Sequence, residues 1–110
     1  MKKLLFILLF TTNLYAQEKP WSVRMADAFM QWHKDSIVIG NNKYTRWDYE
    51  QGLMLKALET VWVRTGEGKY LDYIQKEIDL FVEEDGNIRT YDLEEYNIDN
   101  ITSGRNLLLL

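Results

Sequence analysis

Two short clusters of aromatic and acidic side chains contain residue types that can stack on a ligand and transfer protons. The first cluster, Arg46 to Tyr49, stands at the start of a helical pattern, and the second, Tyr96 to Asn100, contains Asp99 and stands at the start of another. Aromatic rings stack on sugar faces, while carboxylates transfer protons or bind hydroxyl groups. The alternative for Trp47 and Tyr49 is that they only close a hydrophobic core, and the alternative for Asp99 is helix capping.

Each cluster stands at the start of a similar helix. An offset of 52 residues aligns a glycine and two leucines in both copies: Gly52, Leu55 and Leu58 on Gly104, Leu107 and Leu110. Equivalent helices in a chain of hairpins begin at the same end, which would bring Tyr49 and Asp99 to a common mouth. Glycine early in a helix also lets another backbone approach closely. Chance similarity between the two copies is the alternative.

The apolar spacing predicts an all-α chain. The predicted helices cover residues 21–33, 47–64, from 69 to about 81, and from 99 or 100 to 110, where Asp99 or Thr102 would cap. The second and third helices form an antiparallel hairpin. The third buries one face, formed by Tyr70, Tyr73, Ile74, Ile78 and Phe81.

The connections are predicted from glycine, asparagine and acidic residues. Residues 34–43 form a loop with a short extended piece at 37–39, residues 83–87 form a turn, and residues 92–97 belong to a long acidic loop. A calcium loop is an alternative for these carboxylates, but their spacing does not fit an EF-hand, which favours a solvated acidic loop.

Composition excludes several classes of protein. The 110 residues contain 13 Lys and Arg against 17 Asp and Glu, a net charge of −4, so the chain is a poor nucleic-acid binder. Without cysteine there is no disulfide or cysteine nucleophile, and one histidine, His33, gives a zinc site almost no support. His33 is expected to end the first helix. No metal or cofactor is predicted.

The N-terminus has the pattern of a secretory signal peptide over residues 1–16. Lys2 and Lys3 precede a seven-residue apolar run, and cleavage is expected after Ala16. The mature protein would be periplasmic or secreted, without a membrane segment. Because the sequence stops inside an apolar helical run, residues 17–110 are expected to be the N-terminal part of a larger domain, truncated at the C-terminus.

Three segments resemble the unsaturated uronyl hydrolases of glycoside hydrolase families 88 and 105, with the closest likeness to the unsaturated rhamnogalacturonyl hydrolases of family 105. The segments are residues 47–53, 64–70 and 96–107. The aspartate ahead of a glycine-arginine helix, at this distance from the tryptophan-tyrosine-glycine junction, is the most specific element. The resemblance implies that the helical hairpins are the first part of an (α/α)6 barrel.

The resemblance also implies an activity and its residues. The substrate would be an oligosaccharide from pectin or rhamnogalacturonan that ends in a 4,5-unsaturated uronic acid, hydrated at its double bond without a cofactor. Asp99 would be the first of two active-site aspartates, and Tyr49 would line the sugar pocket. Trp47 is a candidate for substrate binding, although the family pattern favours a supporting role.

By the same resemblance, the principal acid/base aspartate lies in a tryptophan-aspartate-glycine-leucine-tyrosine-methionine stretch beyond Leu110. The chain is therefore expected to be inactive by itself. Two other functions stay open: a non-catalytic helical-repeat binding module, and an (α/α) toroid polysaccharide lyase. The lyase would need a histidine or tyrosine base and arginine neutralisers that are not apparent in the sequence.

Overall fold

A computed structural model of the chain describes residues 18–110. The predicted signal peptide lies outside the described residues. Within them are four α-helices: α1 (Trp21–Trp32), α2 (Tyr49–Thr65), α3 (Gly68–Asp79) and α4 (Ile101–Gly104). Three short 3-10 turns accompany them at Leu93–Glu95, Ile98–Asn100 and Arg105–Leu108. The described part holds no strand, only one isolated antiparallel bridge between Val82 and Ile88.

Helix α2 is defined at both ends by its caps. Asp48 is extended, and its Oδ1 accepts a hydrogen bond from the Gln51 amide at 3.1 Å. This is the N-cap arrangement, in which a carboxylate satisfies a free amide of the first turn. At the other end Gly66 takes a left-handed conformation with φ of 70°. The predicted start at Trp47 was therefore two residues early.

The core lies between α2 and α3. All five residues predicted for the inner face of the third helix are buried, and they pack with Leu55 and Leu58 of α2 in one hydrophobic cluster. The connection between the two helices contains only Gly66 and Glu67, so they turn back on each other. The predicted antiparallel hairpin is confirmed.

Helix α1 is joined to α3 by polar contacts. Asp27 accepts hydrogen bonds from Lys69 Nζ at 2.6 Å and from the Tyr70 hydroxyl at 2.9 Å. The Lys69 ammonium holds the pKa of the Asp27 carboxyl below its ordinary value. The Tyr73 hydroxyl donates to the carbonyl oxygen of His33 at 2.6 Å, and His33 ends α1 as predicted.

The loop after α1 is attached to α3 through a buried acid. Glu77 is fully buried, and its Oε2 accepts a hydrogen bond from the Ile37 amide at 3.0 Å. Ile37 is itself buried. Burial raises the pKa of Glu77, although the Ile37 amide and Lys76 act in the opposite direction. This contact fixes the segment that leads to the first cluster.

The fourth predicted helix changes type along its length. A 3-10 turn at Ile98–Asn100 leads into four α-helical residues and a second 3-10 turn at Arg105–Leu108. Neither Asp99 nor Thr102 caps α4: its N-cap residue is Asn100, without a side-chain hydrogen bond. The predicted helical element is therefore present from residue 98 to 108, but only four of its residues are α-helical. The 92–97 stretch is exposed, as expected of a solvated loop.

No helix among residues 18–110 is long and apolar enough to cross a membrane. Within the same residues, no group of three or more acidic or histidine side chains is arranged to hold a metal ion.

Candidate active site

Trp47 forms the wall behind the first cluster. Its side chain is 2% exposed and meets the Phe81 ring edge-on, with 5.7 Å between the ring centroids. Its backbone amide donates to Thr90 Oγ1 at 2.8 Å, which ties the start of α2 to the segment after the 83–87 turn. A ring held this way supports its surroundings and has little free face for a sugar. We therefore assign to Trp47 the supporting role.

Tyr49 is oriented differently from Trp47. It is the first residue of α2 and 49% exposed. Asp48 caps the helix and fixes the backbone of Tyr49, while much of the Tyr49 ring remains accessible. A phenol ring at this place can stack on a sugar and donate or accept a hydrogen bond.

Asp99 is exposed in the 3-10 turn Ile98–Asn100. Its amide donates to Asn97 Oδ1 at 3.0 Å, so Asn97 provides the cap of this turn. The neighbouring Asn100 is 7% exposed and anchors the turn. The Asp99 carboxylate is therefore not used for capping and is accessible to a ligand.

The two clusters are joined by direct hydrogen bonds between their helices. Ser103 Oγ donates to the carbonyl oxygen of Asp48 at 2.5 Å, and Asn106 Nδ2 donates to the carbonyl oxygen of Gly52 at 3.3 Å. The pairing advances in the same direction on both segments, so the two helices run parallel where they touch. Asp99 lies about one helical turn before Ser103, which puts it at the end of α2 where Tyr49 begins.

Gly52 allows this close contact. A Cβ atom at Gly52 would lie 2.5 Å from the Ser103 amide nitrogen and 2.7 Å from the Thr102 carbonyl carbon. Only a glycine lets the two backbones approach so closely. The equivalent position, Gly104, has nothing within 4 Å of its would-be Cβ. The close approach predicted from the sequence is thus found in the first copy only.

Two features at this end of the molecule were not predicted from the sequence: the burial of Gln51 and a small polar hollow beside it. Gln51 is 2% exposed, and neither polar atom of its amide has a hydrogen-bond partner among the described residues. It borders a polar hollow of about 10 Å³, which is room for about one water molecule. Burial of Gln51 has no signal in the sequence, because the residue type is usually exposed.

A larger groove adjoins the turn that carries Asp99. It has a volume of about 350 Å³, within the range of small-molecule sites. Its walls come from Trp47, the 88–91 segment and the fourth helical element, and the lining residues are Trp47, Ile88, Tyr91, Asn100, Ile101, Gly104, Arg105 and Leu108. Trp47 thus contributes an edge to this groove while its ring remains in the core.

Comparison with known proteins identifies the class. The chain is similar to a solved structure of a glycoside hydrolase from family 105 of C. acetobutylicum ATCC 824, with 34% identity and a TM-score of 0.65. The match covers 83% of this chain and 23% of that chain. It confirms the all-α fold, and the helical hairpins are those of an (α/α)6 barrel.

A sequence model described as Glycosyl Hydrolase Family 88 matches residues 21–110. The chain therefore belongs to glycosyl hydrolase family 88, and the likeness to families 88 and 105 seen in the three sequence segments is confirmed.

Proposed function

We propose that this chain contributes the first part of the active site of a glycoside hydrolase that acts on 4,5-unsaturated uronyl saccharides. These saccharides arise when a lyase cleaves pectin or rhamnogalacturonan and leaves a double bond on the terminal sugar. The proposal extends the family membership to a substrate class and a reaction.

The two clusters each lie where a loop leads into a helix, and we call these places the two loop-to-helix junctions. The observation that supports the proposal is the parallel contact between them. The hydrogen bond from Ser103 to the Asp48 carbonyl, at 2.5 Å, fixes the spacing of the junctions. One junction presents the accessible ring of Tyr49 and the other the accessible carboxylate of Asp99. A ring and an acid at one end of the helices meet the needs of a sugar site: stacking, and proton transfer or hydroxyl binding.

The proposed reaction adds one water molecule across the double bond. A carboxylic acid donates a proton to C4 of the enol ether, and water adds its oxygen to C5 as it loses a proton to a base. The hemiketal at C5 opens by breaking its bond to the ring oxygen, which leaves a ketone at C5 and a hemiacetal at C1. The hemiacetal then becomes an aldehyde as the bond from C1 to the second sugar breaks, and the second sugar leaves with the proton. Asp99 acts as one of two carboxylates at this centre and Tyr49 holds the ring, while the principal acid/base residue is supplied from beyond residue 110.

We also propose a cellular location and a ligand for the protein. The pattern of residues 1–16 supports export to the periplasm or medium. The partner is an oligosaccharide that ends in an unsaturated uronic acid. Nucleic acid is not expected as a ligand, because the net charge of −4 becomes −6 once Lys2 and Lys3 are removed with the signal peptide.

The test is the Asp99→Asn variant of the full-length protein. Turnover of an unsaturated disaccharide, followed by the loss of double-bond absorbance, should fall by about 100-fold or more, because an amide cannot exchange the proton. Glu95→Gln is the matched control, since Glu95 is an exposed acid in the preceding loop. Wild-type turnover in Asp99→Asn would remove Asp99 from the site, and no turnover by the wild type would refute the proposed substrate class.

A further inference from the structure

A second groove opens beside the first cluster. Its volume is about 430 Å³. Six residues line it: Asn42, Lys43, Tyr44, Thr45, Arg46 and Thr90. The lining therefore consists of two cations, two hydroxyl groups, one amide and one phenol.

The charge of this groove is opposite to that of the chain. Lys43 and Arg46 are exposed, and neither has an ion-pair partner within 4 Å in the part of the chain that the structure describes. The chain as a whole carries a net charge of −4. Two unpaired cations in one groove of an acidic protein form a local site for an anion, and the guanidinium group binds carboxylate or sulfate oxygens in pairs.

The floor of the groove is polar and fixed. Thr45 Oγ1 is shielded from solvent and has no hydrogen-bond partner among the described residues. A buried hydroxyl without a partner is costly, so the wall of the groove contains an unsatisfied polar atom just below its surface. Thr90, which also lines the groove, has a φ of 62°, which is rare for a β-branched residue. Its hydroxyl accepts the hydrogen bond from Trp47, so this strained turn is fixed in place.

The groove is close to the proposed reaction centre. Arg46 lies three residues before Tyr49, so their backbones are separated by at most about 10 Å of extended chain. Arg46 also borders the small hollow beside Asp48 and Gln51 at the start of α2. A saccharide whose terminal ring contacts Tyr49 can therefore place its next sugar against Arg46.

From these observations we propose that the groove between residues 42–46 and Thr90 binds an anionic group, a carboxylate or a sulfate ester, on the sugar next to the unsaturated terminal ring. The inference rests on the proposed function and deepens it, because it assigns a preference for acidic over neutral sugars at the second position. Arg46 and Lys43 bind the anion, and Thr45 lines the groove beside them.

The test compares three unsaturated disaccharides that differ in the second sugar: neutral, carboxylate-bearing and sulfated. The full-length protein is assayed as wild type and as Lys43→Gln, Arg46→Gln and Arg64→Gln. Arg64 is the control, an exposed cation near the far end of α2, about 22 Å along the helix from Tyr49. Each variant loses one positive charge, so only the position of the lost charge differs.

The wild type should prefer an acidic second sugar. Arg46→Gln should lower kcat/KM about tenfold for the preferred acidic disaccharide through a higher KM, with less than a twofold change for the neutral one. Lys43→Gln should act in the same direction by a smaller factor, and Arg64→Gln should change neither. Added salt should reduce the preference, because the cations are exposed.

The other outcomes are separable. Equal kcat/KM values for the acidic and neutral disaccharides in the wild type, or equal losses for both in Arg46→Gln, would overturn the groove assignment and leave the proposed function intact. A preference for the carboxylate or for the sulfate identifies which anion the groove selects. If the wild type hydrates none of the three disaccharides, the proposed function fails and the assignment of this groove fails with it.

Discussion

The two loop-to-helix junctions share a sequence pattern but differ in how they are held. The first is anchored by buried Trp47, capped by the Asp48 side chain and followed by a 17-residue helix. The second leads into four α-helical residues, and its aspartate is exposed. Its buried polar residues, Ser103 and Asn106, hold it to the first junction. The first junction is therefore held by its own cap and core, whereas the position of the second junction depends on its contacts with the first.

The two candidate side chains, Tyr49 and Asp99, are held in position by different contacts. The helix that carries Tyr49 keeps its place through its own cap and core. The turn that carries Asp99 is fixed by contacts with that helix, at Gly52 above all. A change at the contact should therefore alter the acid more than the aromatic ring, and this dependence can be tested by mutation.

The largest effect is expected at the contact itself. Gly52→Ala should lower the free energy of unfolding of the full-length protein by about 3 kcal/mol, because the added methyl group would meet backbone atoms that cannot rotate away. Urea denaturation measures the change. Turnover of an unsaturated disaccharide should fall as well, since the turn that carries Asp99 would be displaced.

Gly104→Ala is the matched control for this substitution. The position is helical, with φ of −61° and ψ of −27°, and its surroundings are open. Alanine there should be neutral or stabilising by up to about 1 kcal/mol. If both substitutions destabilise the protein equally, the close backbone contact at Gly52 is not what holds the second junction in place.

A smaller, pH-dependent effect is expected at Glu77, which anchors the loop that leads to the first junction. Burial raises the pKa of Glu77 in the folded protein above its ordinary value of 4.5. The folded state therefore holds this proton more tightly than the unfolded state, so stability from this group is fully present below pH 4.5 and is lost as pH rises through the raised pKa. Glu77→Gln keeps an acceptor for the Ile37 amide but has no proton to lose.

The measurement is the free energy of unfolding of the wild type and of Glu77→Gln from about pH 4 to about pH 8. The wild type should lose stability relative to the variant as pH rises, with the difference growing between pH 4.5 and the raised pKa of Glu77. Parallel curves would mean that Glu77 titrates alike in both states and that its burial does not govern its ionisation.

Much of the fold followed from the sequence because it depends on local patterns. The buried face of α3 was predicted from three- and four-residue spacing, and the predicted end of α2 at residue 64 is one residue short of the observed end at Thr65. The 3-10 turns in the fourth helix were not predicted, because the leucine pattern fits α-helical and 3-10 turns alike over so few residues. The start of α2 was predicted two residues early, at Trp47, because the sequence pattern does not reveal that Asp48 is extended and caps the helix.

The features that the sequence did not predict are contacts between residues that are distant in the chain. Glu77 meets Ile37 across 40 residues, and Ser103 meets Asp48 across 55. No local pattern predicts such pairs. Tyr49 and Asp99 were selected as candidates from residue types and the repeat, but their proposed roles came from family resemblance, since spacing alone left helix capping open for Asp99. The structure adds that Asn97, and not Asp99, caps the turn.

The central claim is that Tyr49 and Asp99 face one sugar. The most direct measurement is a crystal structure of the full-length Asp99→Asn variant with an unsaturated disaccharide, in which slow turnover preserves the ligand. We expect the unsaturated ring to lie against the Tyr49 side chain, with the amide that replaces the Asp99 carboxylate within about 3 Å of a ligand oxygen or of the double bond. An unsaturated ring bound without contact to either position would contradict it.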